Sequence, residues 1–277
     1  MPNLSQLQNS LILLSKTAGA AILDIYQAAR QYSIQTKTDN TPLTQADLKA
    51  NDILIAGLKQ LTPDIPILSE EGKQTPWAER QYWQQYWLID PLDGTRQFIK
   101  HSGEFTVNIA LVKEHQVVLG LIYVPVTGEC YYAAQDRGAY KLDAKGMETR
   151  LQVRAWQRGK TLVLASHSAV EERTRRRFGH LGDFTIRPLS SSWKFCLLAE
   201  GQGDFCPRFG ATCEWDTAAG QCILEQARGG IFNLEGERLS YNTKESLLNP
   251  YFVAIGDVAA LHPLMPWGKW PVLPAIY

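Results

Sequence analysis

The sequence predicts an α+β fold in which helices and sheets form layers. Apolar residues recur at helical spacing in two long segments near the start. From Phe105 the pattern changes to successive short strands separated by turn residues, which is typical of an antiparallel meander. Beyond residue 150, strand and helix patterns alternate. We therefore expect an α+β half over 1–150, an α/β half over 151–256 and a proline- and aromatic-rich tail over 257–277.

The first half is predicted to begin with two helices, and the second of these carries a capping signal. Thr44 precedes its apolar residues and Asp47 follows three positions later. Short strands then end in acidic residues, and the meander follows. The predicted elements are a helix over 4–31, a strand and turn over 34–40, a helix over 41–61, a strand over 65–71, a short polar helix over 77–85, and strands over 86–90, 105–112, 117–125, 128–134 and 138–143.

The second half is predicted to contain four strands and three helices in alternation. The first of these helices carries the run EERTRRRF over 171–178. Because glutamates accompany the arginines, we interpret this run as the solvated face of a helix and not as a nucleic-acid patch. The predicted elements are strands over 162–167, 184–189, 204–209 and 229–234, and helices over 169–178, 192–201 and 215–227.

Composition argues against several classes of protein. The chain has 28 basic and 28 acidic residues, so no net field attracts nucleic acid or a membrane surface. The first segment lacks the basic region of a signal peptide, and no uninterrupted apolar run is long enough to span a bilayer. The five cysteines, an odd number without a CxxC pair, argue against a disulfide framework or a zinc site. We expect a cytoplasmic protein without a transmembrane segment; peripheral membrane association and oligomeric state stay open.

Two hydrophobic strands each deliver a carboxylate near their tip. Glu70 follows the segment IPILS, and Asp90 follows WLI. Carboxylates at adjacent tips would crowd like charges, which is costly unless a cation neutralises them. Oxygen ligands without histidine or cysteine are typical of Mg²⁺, and several acids around one point suit more than one ion.

Three further acids have local explanations. Asp47 and Asp216 lie at predicted helix starts, where an acid is commonly a cap. Asp93 lies in a turn opened by a proline and closed by a glycine. Taken singly, each of the three is explained by local structure, whereas Glu70 and Asp90 are not.

The segment DGTRQF, which begins at Asp93, has the features of a phosphate cradle. Gly94 permits close approach of the backbone, and Thr95 is predicted to begin a short helix. Backbone N–H groups at a helix start bind anions, and Mg²⁺ beside such a cradle is typical of phosphoryl chemistry. The chain contains no GxxxxGK[ST] motif, so a nucleotide-binding P-loop is excluded and water is the expected attacking group.

Three motifs, SEEG, DPLDGT and WDTAAG, resemble in their order and spacing those of the lithium-sensitive inositol monophosphatase-like phosphatases. Longer stretches resemble the 3′(2′),5′-bisphosphate nucleotidase branch, namely TPLTQAD, DPLDGTRQFIKHSGEFTVNIAL, SSSWKFCLLAEGQGDFCPRFG and NPYF. The resemblance covers about residues 4–256. It implies a layered αβαβα sandwich of the type shared by inositol monophosphatase and fructose-1,6-bisphosphatase, which agrees with the predicted element order.

The resemblance also implies a set of ligands for two or three Mg²⁺ ions. One ion would be held by Glu70, Asp90 and the backbone carbonyl of Leu92, and a second by Asp90, Asp93 and Asp216. Thr95 would pair with Asp47 to orient and deprotonate the attacking water. The N–H groups of Gly94 and Thr95 would hold the phosphate. We interpret Glu71 as a residue that supports these ligands without binding the ion.

Four residues of the second half match positions that hold the nucleotide in this branch, namely His167, Ser191, Lys194 and Arg208. Without the resemblance, Ser191 and Lys194 would be interpreted as part of a capped helix with solvated basic residues. His167 follows an apolar strand, and the sequence supports a structural role and a binding role for it equally.

The implied function is hydrolysis of the 3′-phosphate of adenosine 3′,5′-bisphosphate to AMP, with 3′-phosphoadenylyl sulfate as a second substrate, in sulfur assimilation. One alternative is a phosphatase for inositol-1-phosphate or fructose-1,6-bisphosphate, because the metal site would be the same. Another is a non-catalytic scaffold. The complete set of acids argues against a scaffold, because a degenerate member is expected to have lost at least one of them.

Overall fold

The computed structural model describes residues 4–28, 34–36, 42–73, 75–166 and 170–260. The helices are α1 (Leu4–Ala28), α2 (Gln45–Leu61), α3 (Trp77–Arg80), α4 (Thr95–Ile99), α5 (Val170–Phe178), α6 (Trp193–Ala199) and α7 (Glu214–Gln226), with 3₁₀ turns at Gly179–Leu181 and Val258–Ala260. The strands are β1 (Ile34–Thr36), β2 (Pro42–Thr44), β3 (Ile67–Ser69), β4 (Gln85–Asp93), β5 (Thr106–Lys113), β6 (Gln116–Val124), β7 (Glu129–Ala134), β8 (Gly138–Leu142), β9 (Glu148–Arg150), β10 (Thr161–Ala165), β11 (Phe184–Pro188), β12 (Phe205–Arg208), β13 (Gly230–Asn233) and β14 (Phe252–Ile255).

Two large sheets carry the fold. The first has seven strands in the order β3-β4-β5-β6-β7-β8-β9, and all its neighbours are antiparallel except the parallel pair β3–β4. The second has five strands in the order β11-β10-β12-β14-β13. Its pairs β10–β11 and β10–β12 are parallel, and the pairs with β14 are antiparallel. The predicted meander and the alternating second half are therefore confirmed.

The sheets and helices stack in five layers, which confirms the predicted αβαβα sandwich. Helices α1 and α2 cover one face of the seven-stranded sheet, and α6 and α7 lie between the two sheets. Helix α5 covers the outer face of the five-stranded sheet. The central core takes residues from both sheets, so the chain segments on either side of residue 150 share one apolar interior. The division into domains near residue 150 stays a prediction.

The sequence of β4 is apolar over consecutive residues instead of alternating between apolar and polar, because both faces of the strand are covered. Trp87 and Ile89 point into the core with α1 and α2, whereas Tyr86 and Leu88 point into the core with α6 and α7. Because both faces are covered, consecutive residues are all buried. Asp90 continues this alternation on the side of Leu88, which is the side that α7 packs against.

Several predicted boundaries were wrong. The helix expected over 77–85 ends at Arg80, because Gln85 already pairs with Lys113 as the first residue of β4. The strand expected to end at Asp90 continues to Asp93 through a bulge. The helix expected over 41–61 begins only at Gln45, because Pro42–Thr44 form β2. Strands β2, β9 and β14 were not predicted. The end of the first predicted helix, over 29–31, and the tail over 261–277 lie outside the described residues.

Helix α1 contains the one candidate membrane span found among the described residues, Leu7–Ala28, identified by length and composition alone. Its buried positions, including Leu11, Ala18 and Ile22, belong to the core that α1 forms with α2 and the first sheet. A core helix of this kind meets the same criterion. The predicted absence of a transmembrane segment stays a prediction.

Candidate active site

Glu70, Asp90 and Asp216 converge at one end of the seven-stranded sheet. Strands β3 and β4 run in parallel, so both deliver their acids to the same edge, and Glu70 N–H donates to the Ile89 carbonyl over 3.1 Å. Asp216 is the third residue of α7. One carboxylate oxygen from each of the three lies within 4.8 Å of the other two. The predicted crowding at the strand tips is confirmed, and α7 adds a third acid to it.

A bulge in β4 separates Asp90 from Asp93. Asp90 pairs with Asn108 on β5, the next pair is Asp93 with Thr106, and the register shifts between them. Pro91 lies in this interval, where its lack of an N–H group is compatible with the interrupted ladder. Leu92 N–H donates to Asp90 Oδ1 over 3.1 Å, which fixes that carboxylate.

The carboxylate cluster is under electrostatic strain. Asp90 is 1% exposed, and its Oδ2 atom is buried with no hydrogen-bond partner among the described residues. Burial, followed by the charges of Glu70 and Asp93, raises the pKa of Asp90 well above its usual range. Burial and the charge of Asp93 likewise raise the pKa of Asp216. Hard oxygen donors that crowd around an orphaned buried oxygen fit a divalent cation such as Mg²⁺.

Asp47 and Thr95 are in direct contact, although 48 positions separate them. Thr95 Oγ1 donates to Asp47 Oδ1 over 3.0 Å and lies 3.3 Å from the Leu92 carbonyl oxygen. Asp47 Oδ2 accepts from the N–H of Thr44 over 2.8 Å and from its hydroxyl over 2.5 Å. Asp47 is therefore the acid of the predicted capping box at α2 and, with its other oxygen, a partner of Thr95.

Gly94 occupies a position that only glycine fits. Its φ is 100°, in the left-handed region, and a Cβ at this position would lie 2.7 Å from the Glu104 carbonyl oxygen. Gly94 is the N-cap residue of α4, which begins at Thr95 as predicted. The glycine thus allows the chain to turn sharply between the acids and Thr95.

A cavity of about 580 Å³ joins the acids to the residues predicted to hold the nucleotide. Its lining comes from β4, α4, the start of α6, the ends of β10 and β12, and the start of α7. The lining residues that the sequence predicted are Glu70, Asp90, Leu92, Asp93, Gly94, Thr95, Ser191, Lys194, Arg208 and Asp216. Asp47 lies behind Thr95 and reaches this site through it.

Lys194 and Arg208 form a cationic wall of this cavity. Lys194 is 7% exposed, its Nζ donates to the Ser191 carbonyl over 2.8 Å, and burial lowers its pKa. Arg208 Nη1 donates to the Ser166 hydroxyl over 2.9 Å and Nη2 donates to the Ala211 carbonyl over 3.1 Å. The alternative interpretation of Lys194 as a solvated residue of a capped helix does not hold, because the side chain is buried and lines the cavity; its predicted role as a nucleotide contact stays a prediction.

His167 lies outside the described residues, so its predicted role stays a prediction; Ser166 before it lines the cavity. Glu71 is half-buried, and its charge contributes to the raised pKa of Asp90. It is close enough to influence the cluster without belonging to the group that converges within 4.8 Å.

Sequence reasoning missed Ser192 and Asn108. Ser192 donates to Asp93 Oδ2 with its backbone N–H over 2.6 Å, and its hydroxyl lies 2.5 Å from the same atom. The Asn108 amide donates to the Ser192 hydroxyl over 2.9 Å. The run of three serines before Trp193 signals a special turn, but it does not indicate which hydroxyl faces the acids.

Comparison with known proteins agrees with this geometry. The family model described as the inositol monophosphatase family matches residues 3–262. The 3′(2′),5′-bisphosphate nucleotidase CysQ of Salmonella typhimurium is 44% identical over 239 residues, which cover 86% of this chain and 95% of that protein.

Solved structures give the same result. The crystal structure of CysQ from Bacteroides thetaiotaomicron matches with a TM-score of 0.78 at 38% identity, over 91% of this chain and 98% of that one. The inositol monophosphatase of Thermotoga maritima matches with a TM-score of 0.76 at 22% identity, over 95% of this chain and 96% of that one, which shows the shared fold. The chain therefore belongs to the inositol monophosphatase family.

Proposed function

We propose that this protein is a 3′(2′),5′-bisphosphate nucleotidase that hydrolyses the 3′-phosphate of adenosine 3′,5′-bisphosphate to give AMP and phosphate. The observation that carries the proposal is that one cavity is lined both by the carboxylate cluster and by Lys194 and Arg208. A substrate with two phosphates could present one to the carboxylates with their bound cations and the other to the two basic residues. The 44% identity to a relative of the same named activity supports it.

Members of the inositol monophosphatase family are metal-dependent phosphatases, and the carboxylate cluster fits Mg²⁺. Glu70, Asp90 and the Leu92 carbonyl would hold one ion, and Asp90, Asp93 and Asp216 a second. Bound Mg²⁺ would neutralise charge on the phosphate oxygens and on the leaving alkoxide and would lower the pKa of water. Asp90 has the central place in this arrangement because its Oδ1 is held by Leu92 N–H, while its Oδ2 has no partner among the residues described.

Thr95 and Asp47 would orient the attacking water. Because the Thr95 hydroxyl donates its own proton to Asp47 Oδ1, its oxygen is left as an acceptor. It would accept a hydrogen bond from the water on the cavity side and so direct a lone pair of that water toward phosphorus; when the water loses this proton to Thr95, Thr95 would pass its own proton to Asp47. Asp47 is held for this task by two donors from Thr44 on its other oxygen.

The cationic wall would select the second phosphate. Lys194 and Arg208 donate hydrogen bonds to oxygens of the protein, and these bonds fix the orientation of both side chains. An ammonium has three donors and a guanidinium has five, so each side chain keeps further donors. The remaining donors can bind the dianionic 5′-phosphate through charge-assisted hydrogen bonds. His167 and Ser191 would contribute further nucleotide contacts, and 3′-phosphoadenylyl sulfate would fit the same wall with its sulfated 5′ group.

Inositol-1-phosphate and fructose-1,6-bisphosphate are the competing substrates, since the carboxylate cluster alone does not distinguish them. A test compares phosphate release from these two and from adenosine 3′,5′-bisphosphate at saturating Mg²⁺. We expect kcat/KM for the nucleotide to exceed that for inositol-1-phosphate by ~10-fold or more, as one lost charge-assisted contact of roughly 1.5–3 kcal/mol implies. Fructose-1,6-bisphosphate also carries a second phosphate, so a preference for the nucleotide over it would show that the nucleoside itself is recognised. Equal values would contradict nucleotide specificity, and no release at any Mg²⁺ concentration would indicate a scaffold.

The proposed role is removal of a by-product of sulfur assimilation in the cytoplasm. The substrate is a small diffusible nucleotide, so neither a nucleic acid nor a membrane partner is required by the reaction. Two or three bound Mg²⁺ ions are compatible with the number of carboxylates that reach the cavity. A Mg²⁺ titration of the protein by calorimetry would count them.

A further inference from the structure

Ser192 lies between two acidic residues that come from opposite halves of the chain. It is the N-cap residue of α6 and is 2% exposed. Its backbone N–H donates to Asp93 Oδ2 over 2.6 Å, and its hydroxyl oxygen lies 2.5 Å from the same atom. The hydroxyl oxygen also lies 2.7 Å from the backbone carbonyl oxygen of Asp216. One buried serine therefore contacts Asp93 on the first sheet and the first turn of α7.

Asn108 limits the directions in which the Ser192 hydroxyl can donate its proton. The Asn108 amide nitrogen donates to Ser192 Oγ over 2.9 Å and lies 3.5 Å from Asp93 Oδ2, while its oxygen accepts from the Thr106 hydroxyl over 3.0 Å. These two contacts assign the orientation of the amide. Because Asn108 occupies a lone pair of Ser192 Oγ, the single hydroxyl proton of Ser192 is directed to Asp93 Oδ2 or to the Asp216 carbonyl.

We propose that Ser192, supported by Asn108, is a positioning residue that holds Oδ2 of Asp93 and thereby directs the other oxygen of this carboxylate to the divalent cation. The inference rests on the proposed function, because the role of Asp93 as a ligand belongs to it. Partners of this kind fix ligand orientation, and their loss typically weakens metal binding or activity ~10–100-fold.

The contact to Asp216 gives Ser192 a second effect. Asp216 reaches the cluster from α7, whereas Glu70 and Asp90 reach it from the first sheet. Because the Ser192 backbone N–H donates to Asp93 Oδ2, the hydroxyl proton is available for the Asp216 carbonyl, and Ser192 bridges these elements at the point where their acids meet. It therefore sets the spacing between Asp93 and the first turn of α7, which a cation shared by Asp93 and Asp216 requires.

Ser192 is adjacent to the cationic wall but separable from it. The preceding residue, Ser191, has a φ of 57° and supplies the carbonyl that accepts from Lys194 Nζ. Removal of the Ser192 hydroxyl leaves this contact in place. Removal of the hydroxyl should therefore weaken Mg²⁺ binding and lower kcat, whereas removal of the Lys194 side chain should raise KM.

The test compares Ser192→Ala with Ser190→Ala, a matched control two residues earlier in the same serine run. Binding of Mg²⁺ alone is measured by calorimetry on each protein without substrate, and kcat and KM for adenosine 3′,5′-bisphosphate are measured at fixed Mg²⁺. We expect Ser192→Ala to weaken Mg²⁺ binding ~10–100-fold and to lower kcat with a much smaller change in KM. We expect Ser190→Ala to bind Mg²⁺ as the wild type does.

The outcomes separate the two claims. If the wild type binds Mg²⁺ and hydrolyses the nucleotide while Ser192→Ala matches Ser190→Ala, the positioning role is wrong and the proposed function stands. If the wild type neither binds Mg²⁺ nor releases phosphate, the proposed function fails and the inference fails with it. Should Ser192→Ala not fold, Asn108→Ala removes the amide that donates to Ser192 Oγ and lies 3.5 Å from Asp93 Oδ2, and unchanged Mg²⁺ binding in that variant would overturn the inference.

Discussion

The carboxylate end and the cationic wall of the cavity carry opposite charges and differ in how far the protein itself holds their charged groups. At the carboxylate end, Asp90 Oδ2 is buried and without a hydrogen-bond partner in the part of the chain that the structure describes, and its pKa is raised. At the wall, Lys194 and Arg208 donate to neutral oxygens of the protein, while Arg208 Nε is buried with no partner among the described residues. The acids therefore fit an added cation, and the wall, which the protein already orients, fits an added anion.

We therefore expect the chemical step to depend on the carboxylate end. Removal of an acid should abolish a step that depends on the bound cation. Removal of a wall residue should weaken binding of one part of the substrate and leave the chemical step intact.

Asp90→Asn should have the largest effect. The amide removes the charge at the centre of the cluster, so we expect turnover to fall by orders of magnitude at saturating Mg²⁺ while the protein stays folded. Because the variant also removes the repulsion of a charge at position 90 by Glu70, Asp93 and Asp216, its melting temperature in EDTA should exceed that of the wild type. Steady-state kinetics and thermal denaturation check the two parts; a near-normal kcat would contradict the assignment of Asp90 to both ions.

Thr95→Ala should have the next largest effect on activity. Loss of the hydroxyl removes the group that connects Asp47 to the water, so we expect kcat to fall by ~10²–10⁴-fold with a much smaller change in KM. Thr95→Ser is the matched control, because it retains a hydroxyl. A loss that appears only in KM would show that Thr95 binds phosphate and does not activate water.

Lys194→Ala should weaken binding of the second phosphate without changing the chemical step. We expect KM for adenosine 3′,5′-bisphosphate to rise by ~10-fold or more, and hydrolysis of a substrate with a single phosphate to change little. Lys194→Met is the control for packing, because it keeps the aliphatic chain and removes the charge. Equal losses with both substrates would mean that Lys194 is structural and that the wall does not recognise a second phosphate.

The smallest effect concerns stability and pH. Burial and like charges raise the pKa values of Asp90 and Asp216 above their ordinary value of 3.8, so the folded protein retains protons that the unfolded chain releases. Without metal, their contribution to stability is therefore fully present below about pH 4 and is lost as pH rises through the raised pKa values. Melting temperature measured against pH in EDTA should show this decline, and Mg²⁺ should reduce it. An identical profile with and without Mg²⁺ would argue against a cation in the cluster.

The wall was predicted less completely than the acids, and the reason is physical. A carboxylate at the tip of a strand is placed by the strand, so Glu70 and Asp90 could be located from the apolar runs before them. Thr44 and Asp47 form a capping box, which depends only on residues three apart. Lys194 is different, because a lysine near a helix start is solvated or buried according to what packs above it, and here the cavity and the Ser191 carbonyl enclose it.

Ser192 and Asn108 were missed for the same reason. Their contacts join residues 84 and 99 positions apart, and no local pattern distinguishes one serine of three. The bulge between Asp90 and Asp93 was missed because it depends on the pairing of β4 with β5; Pro91 was interpreted only as the opening of a turn.

By itself the sequence determined the layered α and β architecture, the acids at the strand tips, the capping box and the glycine turn, because each follows from periodicity or from the conformational limits of a few consecutive residues. The tertiary structure decided that Asp216 from α7 meets Glu70 and Asp90 within 4.8 Å, that Thr95 reaches Asp47, and that Ser192 connects Asp93 to α7. These contacts depend on how α7 packs between two sheets. That packing is set by burial of side chains distributed over both halves of the chain, which no short segment encodes.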